Sequence, residues 1–161
     1  MTPASDTYPN SNSEPVRQLD HIGVAVRDLD AALALFDRLL GIKPIRVETN
    51  ETFQVREAML PIAPGGICLQ LLEPLDEHSM IAEYLRSHGT GIQQIAFRVG
   101  NLSHAVSSLE ARGFPPLFDG WREGSGGSHI NFLQPASTDS VMIELVEQPD
   151  ARPEVTDAAK G

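Results

Sequence analysis

The sequence predicts an α+β fold built from two tandem βαβββ modules, and three observations carry that prediction. The first is an internal repeat. His21-Ile-Gly-Val-Ala-Val-Arg-Asp-Leu-Asp-Ala-Ala-Leu33 returns 73 positions later as Gln94-Ile-Ala-Phe-Arg-Val-Gly-Asn-Leu-Ser-His-Ala-Val106. Leu69-Gln-Leu-Leu-Glu-Pro74 is echoed in the same order by Ile143-Glu-Leu-Val-Glu-Gln-Pro149. Two blocks recurring at nearly constant spacing indicate a duplicated supersecondary unit. The second observation is that each copy changes period, from alternation to helical spacing. The third is that strand patterns outnumber helix patterns, which gives α+β.

The elements follow in order. Ile22, Val24 and Val26 alternate with His21, Gly23 and Ala25 and predict the opening strand. Leu29, Ala32, Leu33, Phe36 and Leu40 form one apolar stripe of a helix, which Asp28 or Asp30 caps and Gly41 ends. Three further strands complete the module, for example Arg46–Glu48, Gln54–Leu60 and Ile67–Leu72, the last set off by the turn Pro64-Gly65-Gly66. Met80, Ile81, Tyr84 and Leu85 repeat at helical spacing, so a linking helix is expected over Asp76–Ser87.

The second copy opens with Ile95, Phe97 and Val99 alternating with Gln94, Ala96 and Arg98. A helix with Leu102, Ala105, Val106 and Leu109 follows, capped by Asn101 or Ser103 and stopped by Gly113. The expected organisation is a polar, Pro-rich tail over 1–17, a first module over 18–74, a link over 75–90, a second module over 91–148 and a tail over 149–161.

Composition narrows the function classes. The chain has 161 residues with 41% hydrophobic and 21% charged, as in a globular protein. With Lys+Arg 12 against Asp+Glu 22, the net charge is −10 and the basic residues are scattered singly, so no nucleic-acid partner is expected. No apolar run approaches the ~18–20 residues of a membrane span, and the first residues lack the charged start and apolar centre of a secretory signal. Cys68 stands alone, which excludes an intrachain disulfide or a multi-cysteine metal site and makes a cytoplasmic location the expectation.

The repeat makes His21 equivalent to Gln94, and Gln70 equivalent to Glu144. If the two modules curl toward each other, these four side chains converge between them. They offer one imidazole nitrogen, two amide oxygens and one carboxylate, an octahedral-type set with two positions open. Zinc prefers more nitrogen or sulfur and four ligands. Cobalt, manganese or magnesium suits the set better. Taken singly, each residue is equally an ordinary hydrogen-bonding side chain.

The motifs Leu19-Asp-His-Ile-Gly-Val-Ala-Val26, Val55-Arg-Glu-Ala-Met-Leu60, Leu69-Gln-Leu-Leu-Glu-Pro74, Gly91-Ile-Gln-Gln-Ile-Ala-Phe97, Gly126-Gly-Ser-His-Ile-Asn-Phe132 and Val141-Met-Ile-Glu-Leu145 span nearly the whole chain between its tails. In them the chain resembles the vicinal oxygen chelate superfamily, and within it the methylmalonyl-CoA epimerase family. The resemblance implies a cupped mixed sheet around one divalent ion (cobalt, manganese, magnesium or zinc), an acyl-CoA thioester substrate and a homodimer. It implies His21, Gln70 and Glu144 as metal ligands. The remaining ligand position departs, because the family usually reads Gly-x-His-His where Gln93-Gln94 stand here. A neutral amide is a poorer donor than imidazole to cobalt or zinc, so a weaker site, a harder ion or no bound ion is expected. Ser128-His129-Ile130 and Gln134-Pro135-Ala136 stand where the family often has Arg and Lys, which weakens the case for coenzyme A recognition.

Glu57 matches the family's catalytic base. On a strand with Val55 and Met59 as same-face neighbours, its charged form is disfavoured and its pKa rises toward the range of a proton carrier. Without the resemblance it reads as an outward glutamate paired with Arg56 or Arg46. Epimerisation needs a second acid/base group. Glu144, the other carboxylate of the set, is the candidate residue, with an ordered water as the alternative. Two further readings compete: a metal-free binding or sequestering protein using the same cup, and an isomerase-like paralogue acting on a different enolisable acid.

Overall fold

The computed structural model describes residues 16–62 and 66–149. Of the tails expected over 1–17 and 149–161, residues 1–15 and 150–161 lie outside the described residues, as does part of the Pro64-Gly65-Gly66 turn. The elements run β1 (Val16–Ala25), α1 (Leu29–Leu40), β2 (Arg46–Asn50), β3 (Val55–Pro61), β4 (Cys68–Pro74), α2 (Met80–His88), β5 (Gly91–Val99), α3 (Leu102–Glu110), β6 (Arg122–Glu123), β7 (His129–Phe132) and β8 (Ile143–Glu147). One eight-stranded mixed sheet takes the order β2-β3-β4-β1-β5-β8-β7-β6. Read outward from its centre, each half runs first, fourth, third and second strand of its module. The duplication is therefore visible as a pseudo-twofold between β1 and β5.

β1 and β5 pair antiparallel, while β1 with β4 and β5 with β8 pair parallel. The helices cover the outer face. α1 packs through Leu29, Ala32, Leu33 and Phe36 on Val26, Ala58, Leu60 and Leu71, and α3 packs through Leu102, Ala105, Val106 and Leu109 on Val99 and Leu145. Asp28 Oδ accepts from Ala31 N and Asn101 Oδ from His104 N, so these are the caps, and Gly41 ends α1 with φ 67. The inner face carries a second core, in which Ile81 and Leu85 of α2 rest on Ala25, Val55 and Leu72. The linking helix thus plugs one end of the cup.

β2, β3 and β4 differ from expectation by one or two residues at their ends, and three other boundaries have a clear local cause. Val16 and Arg17, assigned above to the tail, belong to β1, because Val16 pairs with Val99 and extends the central ladder. The linking helix starts at Met80 instead of Asp76, since the Ser79 side chain accepts from Ala82 N and fixes the first turn there. α3 stops at Glu110, capped by Ala111, before Gly113 is reached.

Candidate functional site

Four neighbouring strands, β4, β1, β5 and β8, place the site. Register sets Gln70, Gly23 and Gln94 in one row across β4, β1 and β5, and His21, Ala96 and Glu144 in the next across β1, β5 and β8. Gly23 and the buried Ala96 lie between the polar side chains and leave room for them to lean together. A methyl at Gly23 would collide with Gln94 Cγ. His21, Gln70, Gln94 and Glu144 are 3%, 5%, 7% and 3% exposed.

Their heads meet. His21 Nε2 lies 3.2 Å from Glu144 Oε2, and Gln94 Nε2 lies 3.2 Å from Gln70 Oε1, 2.5 Å from Glu144 Oε2 and 3.5 Å from His21 Nε2. The predicted four-residue convergence is therefore present. Glu57, 2% exposed on β3, joins it: Gln70 Nε2 donates to Glu57 Oε2 at 2.9 Å, and Glu57 Oε1 has no partner among the described residues. Burial, then the charges of Glu48 and Glu144, push the Glu57 carboxyl up to about 7.

Asp20 was not singled out from the sequence. It is 2% exposed, accepts from His21 Nδ1 at 2.9 Å, and binds Arg98 Nε at 2.8 Å and Nη2 at 2.7 Å. Gln148 Nε2 adds a bond at 3.1 Å. Burial alone would raise the Asp20 carboxyl, but these partners outweigh it and hold it near 2. Burial likewise opposes the charge of His21, yet Glu144 beside Nε2 and Asp20 on Nδ1 raise its pKa well above the ordinary range. A carboxylate on the far ring nitrogen is the usual way a metal-binding histidine is oriented, with Nε2 turned inward. The only sequence signal was the adjacency Asp20-His21.

The donor set fits a hard divalent ion. Separations near 3 Å between neighbouring heads are those of ligands about 2.1 Å from one octahedral centre. The set depends on the glutamines, since no group of three His, Cys, Asp or Glu gathers among the described residues. Gln94 presents Nε2 inward, so it contributes Oε1 only with its amide turned over.

The space beside these residues is small. A cavity of about 30 Å³ touches Glu57, Gln70, Gln94 and Glu144, with Val55, Leu72, Ile130 and Phe132 among its apolar walls. Outside it, a mouth of about 210 Å³ is lined by Glu48, Glu51, Glu57 and Glu123 with Gly126 and Gly127. The mouth is bridged by the two edge strands: Glu48 Oε1 accepts from Ser125 Oγ at 2.7 Å and Gly126 N at 2.8 Å, and Asn50 Nδ2 donates to Glu123 O at 3.3 Å. Glu48→Ala is expected to speed hydrogen exchange at the Gly126 amide roughly tenfold or more, the loss of a charge-assisted bond, with core amides such as Leu71 unchanged. Exchange mass spectrometry checks it.

A larger cavity of about 490 Å³ lies away from this chemistry, between α3 and the Pro116–Trp121 stretch. There Trp121 is 54% exposed and stacks on His129 with centroids 4.0 Å apart. His129 therefore faces outward, not into the cup.

Residues 20–132 match the Glyoxalase/Bleomycin resistance protein/Dioxygenase superfamily. Among solved structures, methylmalonyl-CoA epimerase from Mycobacterium tuberculosis superposes with a TM-score of 0.83 at 38% identity, over 86% of this chain and 93% of that one. A Streptomyces coelicolor methylmalonyl-CoA epimerase variant in complex with 2-nitronate-propionyl-CoA gives 0.79 at 36%, over 83% and 98%. The mitochondrial methylmalonyl-CoA epimerase of Mus musculus is 28% identical over 145 residues, covering 89% of this chain and 80% of that protein. The matched span includes His21, Glu57, Gln70 and Gln94, and with the paired-module cup it shows that this chain belongs to the Glyoxalase/Bleomycin resistance protein/Dioxygenase superfamily, with methylmalonyl-CoA epimerases among its relatives.

Proposed function

We propose that the chain is an epimerase of methylmalonyl-CoA or a closely related 2-substituted acyl thioester. One observation carries this reading: a buried carboxylate, Glu57, is hydrogen-bonded into the His21, Gln70, Gln94 and Glu144 cluster while one of its oxygens has no partner among the described residues. The relatives named above support the substrate class.

The α carbon of such a substrate lies between a thioester and a carboxylate, so removing its proton builds charge beside existing charge. A divalent ion held by His21, Gln70, Gln94 and Glu144 would supply Lewis-acid stabilisation of the resulting enolate. Glu57 Oε1 takes the proton from one face of the α carbon, or delivers it there in the reverse direction, while a second group serves the other face, and a carboxyl poised near 7 does either at neutral pH. Gln70 keeps Oε2 occupied and so fixes which oxygen reacts. Apolar walls at Val55, Leu72, Ile130 and Phe132 exclude water from the carbanion. With Glu144 holding the ion, an ordered water serves the opposite face; Glu144 itself serves that face only in the ion-free cup. A homodimer is part of the proposal, supported by the exposed Leu35, Leu39, Leu40 and Ile45, and a cytoplasmic location is part of it as well.

In D2O with Mg2+, Mn2+, Co2+ or Zn2+, the protein is expected to incorporate deuterium at the α carbon of methylmalonyl-CoA, followed by mass spectrometry. No incorporation with any of these ions rejects the reading. A second reading, a different enolisable acid, is favoured by the mouth: its described lining carries Glu48, Glu51 and Glu123, against the single guanidinium of Arg46 beside Ser125 and Gly126 at the rim. Exchange with a less anionic thioester but not with methylmalonyl-CoA selects it.

A further inference from the structure

Gln94 presents an amide nitrogen where a metal site calls for an oxygen, and its neighbours dictate that choice. Gln70 donates through Nε2 to Glu57 and so must offer Oε1 to Gln94. Glu144 offers Oε2 to the same point. Two acceptors facing one head require a donor there, because an oxygen would leave three oxygens together with no proton between them. The nitrogen stands 3.2 Å, 2.5 Å and 3.5 Å from the heads of Gln70, Glu144 and His21, where a cation would satisfy all three. The space it uses exists because Gly23 has no Cβ.

Building on the reading of this cluster as a cation site, we infer that the Gln94 carboxamide is an internal substitute for the cation: without an ion its Nε2 ties Gln70 to Glu144, and on ion binding the amide turns over to present Oε1. A rotation about one side-chain torsion exchanges the two states, so the backbone of β5 need not move. An imidazole at this position has no equivalent donor to span both acceptors, and metal-free protein would leave them facing each other. The glutamine therefore trades ion affinity for a cluster in which Gln70 Oε1 and Glu144 Oε2 are both bonded without an ion.

The test uses chelator-treated full-length protein, wild type and the variants Gln94→His and Gln94→Leu. Both variants are expected to melt roughly 3 °C or more below wild type without metal. Gln94→His is expected to bind Co2+ at least about tenfold more tightly than wild type by calorimetry, the scale on which ligand-shell changes move affinity. In the wild type, the Gln94 side-chain NH2 signals in a 15N correlation spectrum are expected to exchange slowly without metal, then shift and lose protection as Mg2+ saturates the site. Unchanged metal-free melting in both variants, or NH2 signals that stay put through saturation, overturns the inference. If wild type takes up no ion, the turnover and the metal-assisted reading of the function fall together; ion uptake with NH2 signals that stay put overturns the inference and leaves that reading standing.

Discussion

Glu57→Gln is expected to reduce α-proton exchange by roughly 100- to 10,000-fold, the scale of a lost general base, with little change in melting temperature. The substitution keeps the side chain's shape and an oxygen that accepts from Gln70 Nε2, so the hydrogen bond of 2.9 Å survives. It removes only the basic oxygen. It also relieves a carboxylate that is buried and crowded by the charges of Glu48 and Glu144, so stability holds or rises. Glu57→Leu supplies the control, because there Gln70 Nε2 loses its acceptor and about 1–3 kcal/mol of stability goes with it. Exchange lost equally in both variants, with stability lost in one, separates chemistry from packing. If Glu57→Gln retains exchange within about threefold of wild type, well inside the loss that a general base implies, another group takes the proton and the assigned role is wrong.

The parts of this site that the sequence displayed are those controlled by local periodicity and duplication. Alternation in β1 placed His21 opposite the helix-packing face, and the repeat paired His21 with Gln94 and Gln70 with Glu144. Residues at equivalent positions of duplicated modules meet at a pseudo-twofold, which explains why the set came out together. The caps Asp28 and Asn101 were legible because capping is a local interaction. The strand limits were harder. Val16–Arg17 join β1 only because β5 lies beside them, and β6 is two residues long, held by β7 and not by its own pattern. The latch from Glu48 to Ser125 and Gly126 joins residues far apart in sequence at opposite edges of the sheet, and no periodicity encodes it. The direction of the Gln94 amide was equally hidden. It follows from what Gln70 and Glu144 offer, and those offers depend on Glu57.

Asp20→Ala should be the most damaging single change outside the cup's polar cluster, and two separate losses explain the size of the effect. Asp20 is the one acceptor that Arg98, Gln148 and the outer nitrogen of His21 share. Removing it takes the carboxylate partner from the Arg98 guanidinium and from the outer nitrogen of His21, whose inner nitrogen keeps Glu144. Breaking a buried ion pair costs about 3–5 kcal/mol, and Arg98 keeps part of its surface in water, so about 3 kcal/mol is expected, or a melting temperature lower by roughly 6–12 °C. The second loss is orientation, since His21 then turns without restraint on its outer nitrogen. Ion affinity falls a further roughly 10- to 100-fold beyond what stability explains. Asp20→Asn parts the two effects. Its oxygen still accepts from His21 Nδ1, while its amide faces the donors of Arg98 and Gln148. Stability is therefore expected to drop in both variants, whereas Co2+ affinity, measured by calorimetry on the folded fraction, drops strongly only in Asp20→Ala. Equal affinity in the two variants and wild type would reduce Asp20 to a packing element, and would mean that Glu144 and the walls of the cup suffice to aim His21.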